Sequence, residues 1–208
     1  KLPGLYTVDA DLRLDQGDRL SAPAEPGGPH APYLLLVHGT FSHTEGAFGA
    51  LRDTDEWLDL VRFYEGRILA LEHPTLSRTP AQNALEVAAL LPEKTPLHVL
   101  SHSRGGLVGD VLSLCAAQKP DLSAYGARGT DPEHPDLNAL PDLHDLLRGR
   151  GVSVRRYARV AAPARGTTLA SRRLDRYGTY LYNVLRLVPG WTAPGMVELV
   201  QKFVLTLL

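Results

Sequence analysis

The sequence predicts an α/β fold: a three-layer sandwich in which helices cover both faces of a mostly parallel sheet. Short, wholly apolar runs recur along the chain, and such runs are typical of strands buried on both faces. Segments with helical spacing of apolar residues separate them, which favours parallel strands joined by helices. One apolar run also leads through a tight turn straight into a helix, with a serine at the turn.

The first half of the chain supplies the regular alternation. Residues 3–32 hold a leading strand pair and then a Pro/Gly-rich loop. One predicted helix, at 80–91, has clear end signals. Thr79 is typical of an N-cap, Pro80 of the first helical position, and Pro92 of a helix stop. In chain order we predict a strand from residue 33 that ends in His-Gly, a helix at 47–64, a strand at 67–71, a helix at 80–91, a strand from residue 97 and a helix at 105–118.

The second half is less regular. Residues 119–140 are rich in Pro, Gly, Asp and Ala, which predicts a surface loop or insertion. A short helix at 141–148 and a strand at 152–161 follow, and then a loop at 162–171. Residues 174–208 have helical apolar spacing with a break at Pro189-Gly190. These helices are either a lid-like segment over a pocket or a layer packed on the sheet or on a partner domain.

The turn after the strand from residue 97 reads Ser101-His102-Ser103-Arg104-Gly105-Gly106. A strand-turn-helix of this kind lifts the serine side chain above the sheet edge, where the free N–H groups of the helix N-terminus also point. Small residues are needed around the serine because the turn is tight. Ser101 stands where the G-x-S-x-G pattern has its first glycine. The alternative is an ordinary turn in which the serine is a helix cap.

Four separated segments together resemble the α/β-hydrolase superfamily on its lipase-like side. They are Val37 to Phe48 with its His-Gly, Glu72 to Ser77, the serine turn, and Ala162 to Ser171. They look closest to a bacterial α/β-hydrolase domain found in larger proteins, some of which carry a CHAT protease domain. The resemblance extends from about residue 33 to residue 208 and implies a single α/β-hydrolase-like domain over residues 1–208.

The resemblance implies a role for each matching residue. Ser103 is the expected nucleophile, supported by Ser101, Gly105 and Gly106. Backbone N–H groups of Thr40 or Phe41, together with that of Arg104, form the expected oxyanion hole. On loops at the same sheet edge, His43, His73 and Thr167 are candidates for the substrate side; the alternative for His43 and His73 is a structural role.

The acid and the base of the expected triad have no clear position in this chain. In this fold they follow the serine in the order Asp or Glu and then His. His134 and His144 are candidates for the base only through an unusual topology, and we expect them in a solvated loop and on a helix surface. Asp110 and Asp175 are weak candidates for the acid, and we expect them to be solvated. We therefore expect the acid and base beyond Leu208, in a longer protein of which this sequence is a truncated segment.

The amino-acid composition and the absence of certain motifs exclude several kinds of partner. Lys and Arg number 22 against 23 Asp and Glu, so no basic excess favours nucleic acid. Motifs for metal or nucleotide phosphate are absent, and we expect no metal and no cofactor. Charges and prolines interrupt the C-terminal apolar stretch, which does not suit a transmembrane segment. The single Cys115 fits a reducing, cytoplasmic location.

Two functions remain open at this point. The first is a serine esterase or lipase-like hydrolase of carboxylic esters, lipid esters among them, which acts through a covalent intermediate on Ser103. The second is a catalytically inactive α/β-hydrolase-fold scaffold or sensor domain in a multidomain bacterial protein. Fold alone does not decide between them, because function depends on the site. Other domains of the same parent chain are expected partners in either case.

Overall fold

The computed structural model describes residues 1–26, 30–121 and 135–163, with side chains from residue 139 onward in the last range. The chain divides into two compact units, Lys1–Ala164 and Arg165–Leu208. All the described residues belong to the first unit. The predicted substrate-side Thr167, the helices at 174–208 and most of the loops at 119–140 and 162–171 lie outside the described residues. The single domain over 1–208 stays a prediction.

Strands and helices alternate in the described residues. The strands are β1 (Gly4–Thr7), β2 (Tyr33–Val37), β3 (Ile68–Glu72), β4 (Pro96–His102) and β5 (Ser153–Val160). The helices are α1 (Thr44–Phe48), α2 (Asp55–Tyr64), α3 (Pro80–Ala88), α4 (Gly105–Ala117) and α5 (Pro135–Gly149), with 3-10 turns at Gln16–Asp18 and Gly49–Leu51.

The described strands form one mixed sheet in the order β1-β3-β2-β4-β5. Strand β1 is antiparallel to β3, and the other pairs are parallel. Val37 at the end of β2 is level with Leu71 on β3 and with Ser101 on β4. The segments that follow these three strands therefore begin at one sheet edge, which is where α/β proteins bind their ligands.

Helices cover both faces of the sheet, as the sequence predicts. All five residues of β2 are buried, and they alternate between two hydrophobic clusters. One cluster joins the sheet to α3, α4 and α5, and the other joins it to α1 and α2. The continuous apolar runs of β2 and β3 follow from this two-sided burial.

The single helix predicted at 47–64 is wrong, because the structure divides it into α1, a 3-10 turn and α2. Asp53 has a left-handed φ of 66°, which ends the 3-10 segment. Thr54 then begins α2 by accepting a hydrogen bond from the Trp57 N–H at 3.2 Å. A serine or threonine cap of this kind starts a new helix, although the apolar spacing continues across it.

The short helix predicted at 141–148 is also too short, since α5 runs from Pro135 to Gly149 with Pro141 inside it. An internal proline removes one backbone hydrogen bond and costs about 3 kcal/mol. Burial of Leu143 and Leu147 against the sheet-side core offsets this cost. Helix α3, in contrast, begins as predicted, with a capping box between Thr79 and Gln82.

Candidate active site

Ser103 lies at the turn between β4 and α4, half-buried at the sheet edge. Its φ is 51°, a left-handed conformation that is uncommon for a residue with a side chain and that clusters at functional sites. The Ser103 N–H donates to the Val160 carbonyl at 2.8 Å, and its carbonyl accepts from the Gly106 N–H at 2.9 Å. Neighbouring strand and helix backbone thus hold the turn in its strained form.

Two glycines allow other segments to approach this turn closely. A Cβ on Gly39 would lie 2.7 Å from Ser103 Cβ and 3.2 Å from Ser103 Oγ. A Cβ on Gly105 would overlap the carbonyls of Val37 and His38. Real Cβ atoms do not approach other atoms so closely, so both positions require glycine. The His-Gly loop after β2 therefore packs directly on the serine.

Ser101 and Gly106 support the turn through Tyr157 of β5. Ser101 is fully buried, and its hydroxyl is 3.4 Å from the Tyr157 hydroxyl and 3.4 Å from the Ala158 carbonyl. The Tyr157 hydroxyl in turn donates to the Gly106 carbonyl. Burial raises the pKa of Tyr157 to about 12, so this hydroxyl keeps its proton. The sequence did not identify Tyr157, because its position depends on the pairing of β4 with β5.

The loop after β2 carries the two amides considered for the oxyanion hole. Phe41 has a φ of 53°, and its N–H donates to the Thr75 hydroxyl oxygen at 3.3 Å. Neither the Thr40 N–H nor the Arg104 N–H has a hydrogen-bond acceptor within the described part of the chain. Of the two alternatives on this loop, the Phe41 amide thus has a partner in the described residues and the Thr40 amide has none there.

The Arg104 side chain joins the serine turn to the loop after β3. Its Nε donates to the Thr75 carbonyl at 2.9 Å, and its Nη2 donates to the Arg78 carbonyl at 3.0 Å. A guanidinium fixes two carbonyls in one plane through its fork of donors. Thr75 thus contacts both the Arg104 side chain and the Phe41 amide. Sequence reasoning assigned Thr75 no role, although its place just after a buried strand marked it as an edge residue.

Two histidines and a glutamate are buried together beside this loop. The His38 and His73 rings stack with centroids 4.3 Å apart. The Nδ1–H of His38 donates to the Gly39 carbonyl at 2.9 Å, and its Nε2 accepts from the His73 N–H at 3.3 Å. Glu72 Oε1 accepts from the Thr44 N–H at 2.7 Å, while Oε2 lies 3.7 Å from His38 Nε2.

Burial keeps both imidazoles neutral near pH 7. It lowers the pKa of His38, and together with the neighbouring His38 it lowers the pKa of His73 to about 4. Neutral rings stack without charge repulsion, and His38 can accept the His73 amide. The contacts give His38, Glu72 and His73 a structural role in shaping the loops around the serine.

A cleft of about 460 Å³ opens on this group of side chains. Its walls include His38, Glu72 and His73 together with Ser42 and the exposed His43. The two histidines predicted on the substrate side thus share one cleft. They differ in access, since His43 is exposed whereas His73 is mostly buried against His38.

Within the described residues, no histidine or carboxylate forms a hydrogen bond with Ser103. The predicted surface position of His144 is wrong: this ring is buried, and its Nδ1–H donates at 2.8 Å to the carbonyl of Cys115, in the last turn of α4. Helix α5 places His144 one turn from Leu140 and Leu147, which pack against the same core. Asp110 is exposed to solvent in part and pairs with Arg159 at 3.1 Å.

Two further features concern ligands and membranes. In the described part of the chain, no group of three or more His, Cys, Asp or Glu side chains is arranged to hold a metal ion. Among the helices that the structure describes, none has the length and apolar character needed to cross a bilayer.

Comparison with curated proteins gave no match, and neither did comparison with solved structures. A match to a family of proteins covers residues 6–124, which is more than half of the chain and includes the end of β1 and all of β2 to α4 with the serine turn. The chain therefore belongs to the family DUF7379, described as a domain of unknown function.

Proposed function

We propose that this chain carries the nucleophile and the oxyanion hole of a serine hydrolase of carboxylic esters, built on an α/β-hydrolase fold. The observation that carries the proposal is the strained Ser103 at the carboxyl end of an interior parallel strand, with Gly39 packed against its side chain. This is the placement that the strand-turn-helix nucleophile of α/β-hydrolases requires.

The neighbouring amides fit the chemistry of acyl transfer. Ser103 Oγ would attack the ester carbonyl carbon, and the carbonyl oxygen would become an oxyanion. The N–H groups of Thr40 and Arg104 would hold that charge, an effect of about 3–4 kcal/mol for a single donor in well-studied hydrolases. The bond to the alcohol then breaks, the alcohol leaves with a proton, and water hydrolyses the acyl-enzyme.

The proposal places the general base and the acid outside the described residues. It puts the substrate in the space above Ser103 and the neighbouring cleft, with His43 on the substrate side. The exposed Phe41 and Leu76, on two loops at this edge, offer apolar surface to an acyl chain. Lipid esters are therefore included in the substrate class. A cytoplasmic location is part of the same proposal, supported by the single, buried Cys115.

A fluorophosphonate probe tests the nucleophile, because it reacts covalently with activated serines. The chain and its full-length parent are each labelled beside Ser103→Ala. Ser153→Ala is the matched control, since Ser153 lies at the opposite end of the sheet on β5. We expect labelling of the parent that is lost in Ser103→Ala and retained in Ser153→Ala. Labelling of the parent but not of the chain would place the base beyond Leu208.

The inactive scaffold is the competing function, favoured by the lack of a base in contact with Ser103 in the described residues. It predicts no labelling of either folded protein. That result would overturn the hydrolase proposal.

A further inference from the structure

Phe41 adopts a backbone conformation that its neighbours must enforce. Its φ of 53° is a genuine outlier for an aromatic residue, and such strain costs about 1–3 kcal/mol. More than half of its side chain is exposed, at 55%, so packing of the ring does not account for the conformation. The restraint must come from the backbone of Phe41.

The Phe41 amide has one partner in the described residues, the hydroxyl oxygen of Thr75 at 3.3 Å. Thr75 is itself fixed, because its carbonyl accepts from Arg104 Nε at 2.9 Å. The second arm of the same guanidinium binds the Arg78 carbonyl three residues later. A continuous chain of contacts therefore runs from the Phe41 backbone through Thr75 to the side chain of Arg104.

This chain of contacts ends beside both amides of the proposed oxyanion hole. Thr40 lies between Gly39, which is packed on Ser103, and Phe41, which is held by Thr75. Fixing the residues on either side leaves the Thr40 N–H little freedom to turn. Arg104 supplies the second amide from its backbone while its side chain holds Thr75. The two proposed donors are thus fixed relative to each other.

We propose that Thr75 and the Arg104 side chain are positioning residues, which keep the strained Phe41 loop in place so that the Thr40 and Arg104 amides meet one oxyanion. This inference rests on the proposed hydrolase function. Neither side chain reacts with substrate. Both hold the two amide dipoles in the orientation that stabilises the developing charge, before that charge forms. Catalysis depends strongly on such preorganisation.

The test compares Thr75→Val, which keeps the shape and removes the hydroxyl, with Thr75→Ser, which keeps the hydroxyl. Thr7→Val on β1 is the matched control, since Thr7 is exposed on the strand farthest from β4 in the described sheet. Each is made in the full-length parent. The readouts are the rate of fluorophosphonate labelling and kcat and KM for 4-nitrophenyl butyrate, with the thermal midpoint measured beside them.

We expect Thr75→Val to lower kcat and the labelling rate by about tenfold or more, a barrier change of about 1.4 kcal/mol, with KM changed by less than about threefold. Thr75→Ser should restore most of the rate, and Thr7→Val should match the unmodified protein. Arg104→Met, which keeps the backbone amide, should resemble Thr75→Val. The double variant should lose little more than the worse single variant, because both changes break one chain of contacts.

Three results would overturn the inference, and they distinguish a failure of the positioning role from a failure of the hydrolase proposal. If the unmodified parent reacts and Thr75→Val reacts equally fast, the positioning role is wrong while the hydrolase stands. The same holds if Thr75→Ser loses as much rate as Thr75→Val with an equal loss of thermal midpoint, since the effect is then structural. If the unmodified parent itself neither labels nor hydrolyses the ester, the hydrolase proposal fails and the positioning role fails with it.

Discussion

Gly39 and Ser103 follow two neighbouring parallel strands, and their contact shows how single residues define this site. The loop after β2 approaches the serine so closely that there is no room for a methyl group at residue 39. Thr40, whose amide is a proposed oxyanion donor, is the next residue of the same loop. One absent side chain thus permits both the packing of the loop and the proposed placement of an oxyanion donor.

Gly39→Ala is expected to damage both stability and activity. The added Cβ would meet Ser103 Cβ at 2.7 Å, and overpacking of this kind costs about 1–3 kcal/mol. Any shift that relieves the contact moves the Thr40 amide, so fluorophosphonate labelling should fall more than stability alone explains. Urea unfolding and labelling rates measure the two effects.

Gly49→Ala is the matched control, because Gly49 has a φ of −59° and a Cβ there meets no atom within 4 Å. It should change neither quantity appreciably. A Gly39→Ala protein that is as stable and as reactive as the unmodified one would contradict the close packing of this loop on Ser103.

Helix α4 shows the same dependence on glycine at the scale of an element. It begins at the serine turn, and its position on the sheet fixes where its N-terminus points. Val108, Leu112 and Cys115 bury its sheet-facing side. Gly109, on the side toward β5, lies directly against the Tyr157 ring. Packing against β5, rather than intrinsic helix propensity, therefore fixes this helix.

Gly109→Ala tests that conclusion, because alanine is the better helix former by about 1 kcal/mol. We nevertheless expect destabilisation, since the new Cβ would lie 2.6 Å from the Tyr157 hydroxyl oxygen and 2.7 Å from ring carbons. Gly149→Ala in α5 is the control with no atom within 4 Å, and it should leave stability unchanged or raise it. Chemical denaturation compares the two. Equal stabilisation by both would contradict the packing of α4 on Tyr157.

At the scale of the whole described unit, buried polar side chains lie together at the sheet edge. Because they are buried, the folded state must keep them neutral or paired. His38 and His73 are stacked and lose solvent there. Their lowered pKa values mean that folding excludes protons that the unfolded chain would bind. The stability of the unit is thereby linked to pH through residues that have no proposed part in the chemistry.

We expect stability to fall as the pH is lowered from about 6.5, the value for a histidine in an unfolded chain, towards about 4, the value for His73 in the folded state. In that range the unfolded chain takes up a proton that the folded His73 refuses, so acid favours unfolding. Above about pH 6.5 both states hold a neutral ring and the effect is constant. Urea titrations at several pH values measure the slope.

His73→Gln removes the titrating ring and should flatten this slope, whatever its effect on stability at pH 7. His30→Gln, at an exposed residue outside the sheet, is the control and should leave the slope as it was. A slope unchanged in His73→Gln would contradict the assignment of the pH dependence to the buried ring.

Local patterns by themselves determined the α/β class, the strands that carry the edge loops, the strand-turn-helix around Ser103 and the need for small residues there. These features depend on residues that are near one another in the chain. Apolar runs and caps act over a few residues, which is why the first residues of α3 and β2 were predictable. Helix α3 ends at Ala88, however, and not at the predicted residue 91. The bounds of α2 and α5 were not predictable, because a cap at Thr54 and core burial around Pro141 override the periodic pattern.

The tertiary structure decided what depends on strand order and on contacts between distant loops. It assigned the Phe41 amide to Thr75, buried His144 beside Cys115 and placed Tyr157 behind the serine turn. These contacts join residues 29 to 51 positions apart in the chain, and no short pattern encodes such a pair. Hydrogen bonding between loops is set by which strands become neighbours, and that is a property of the folded sheet.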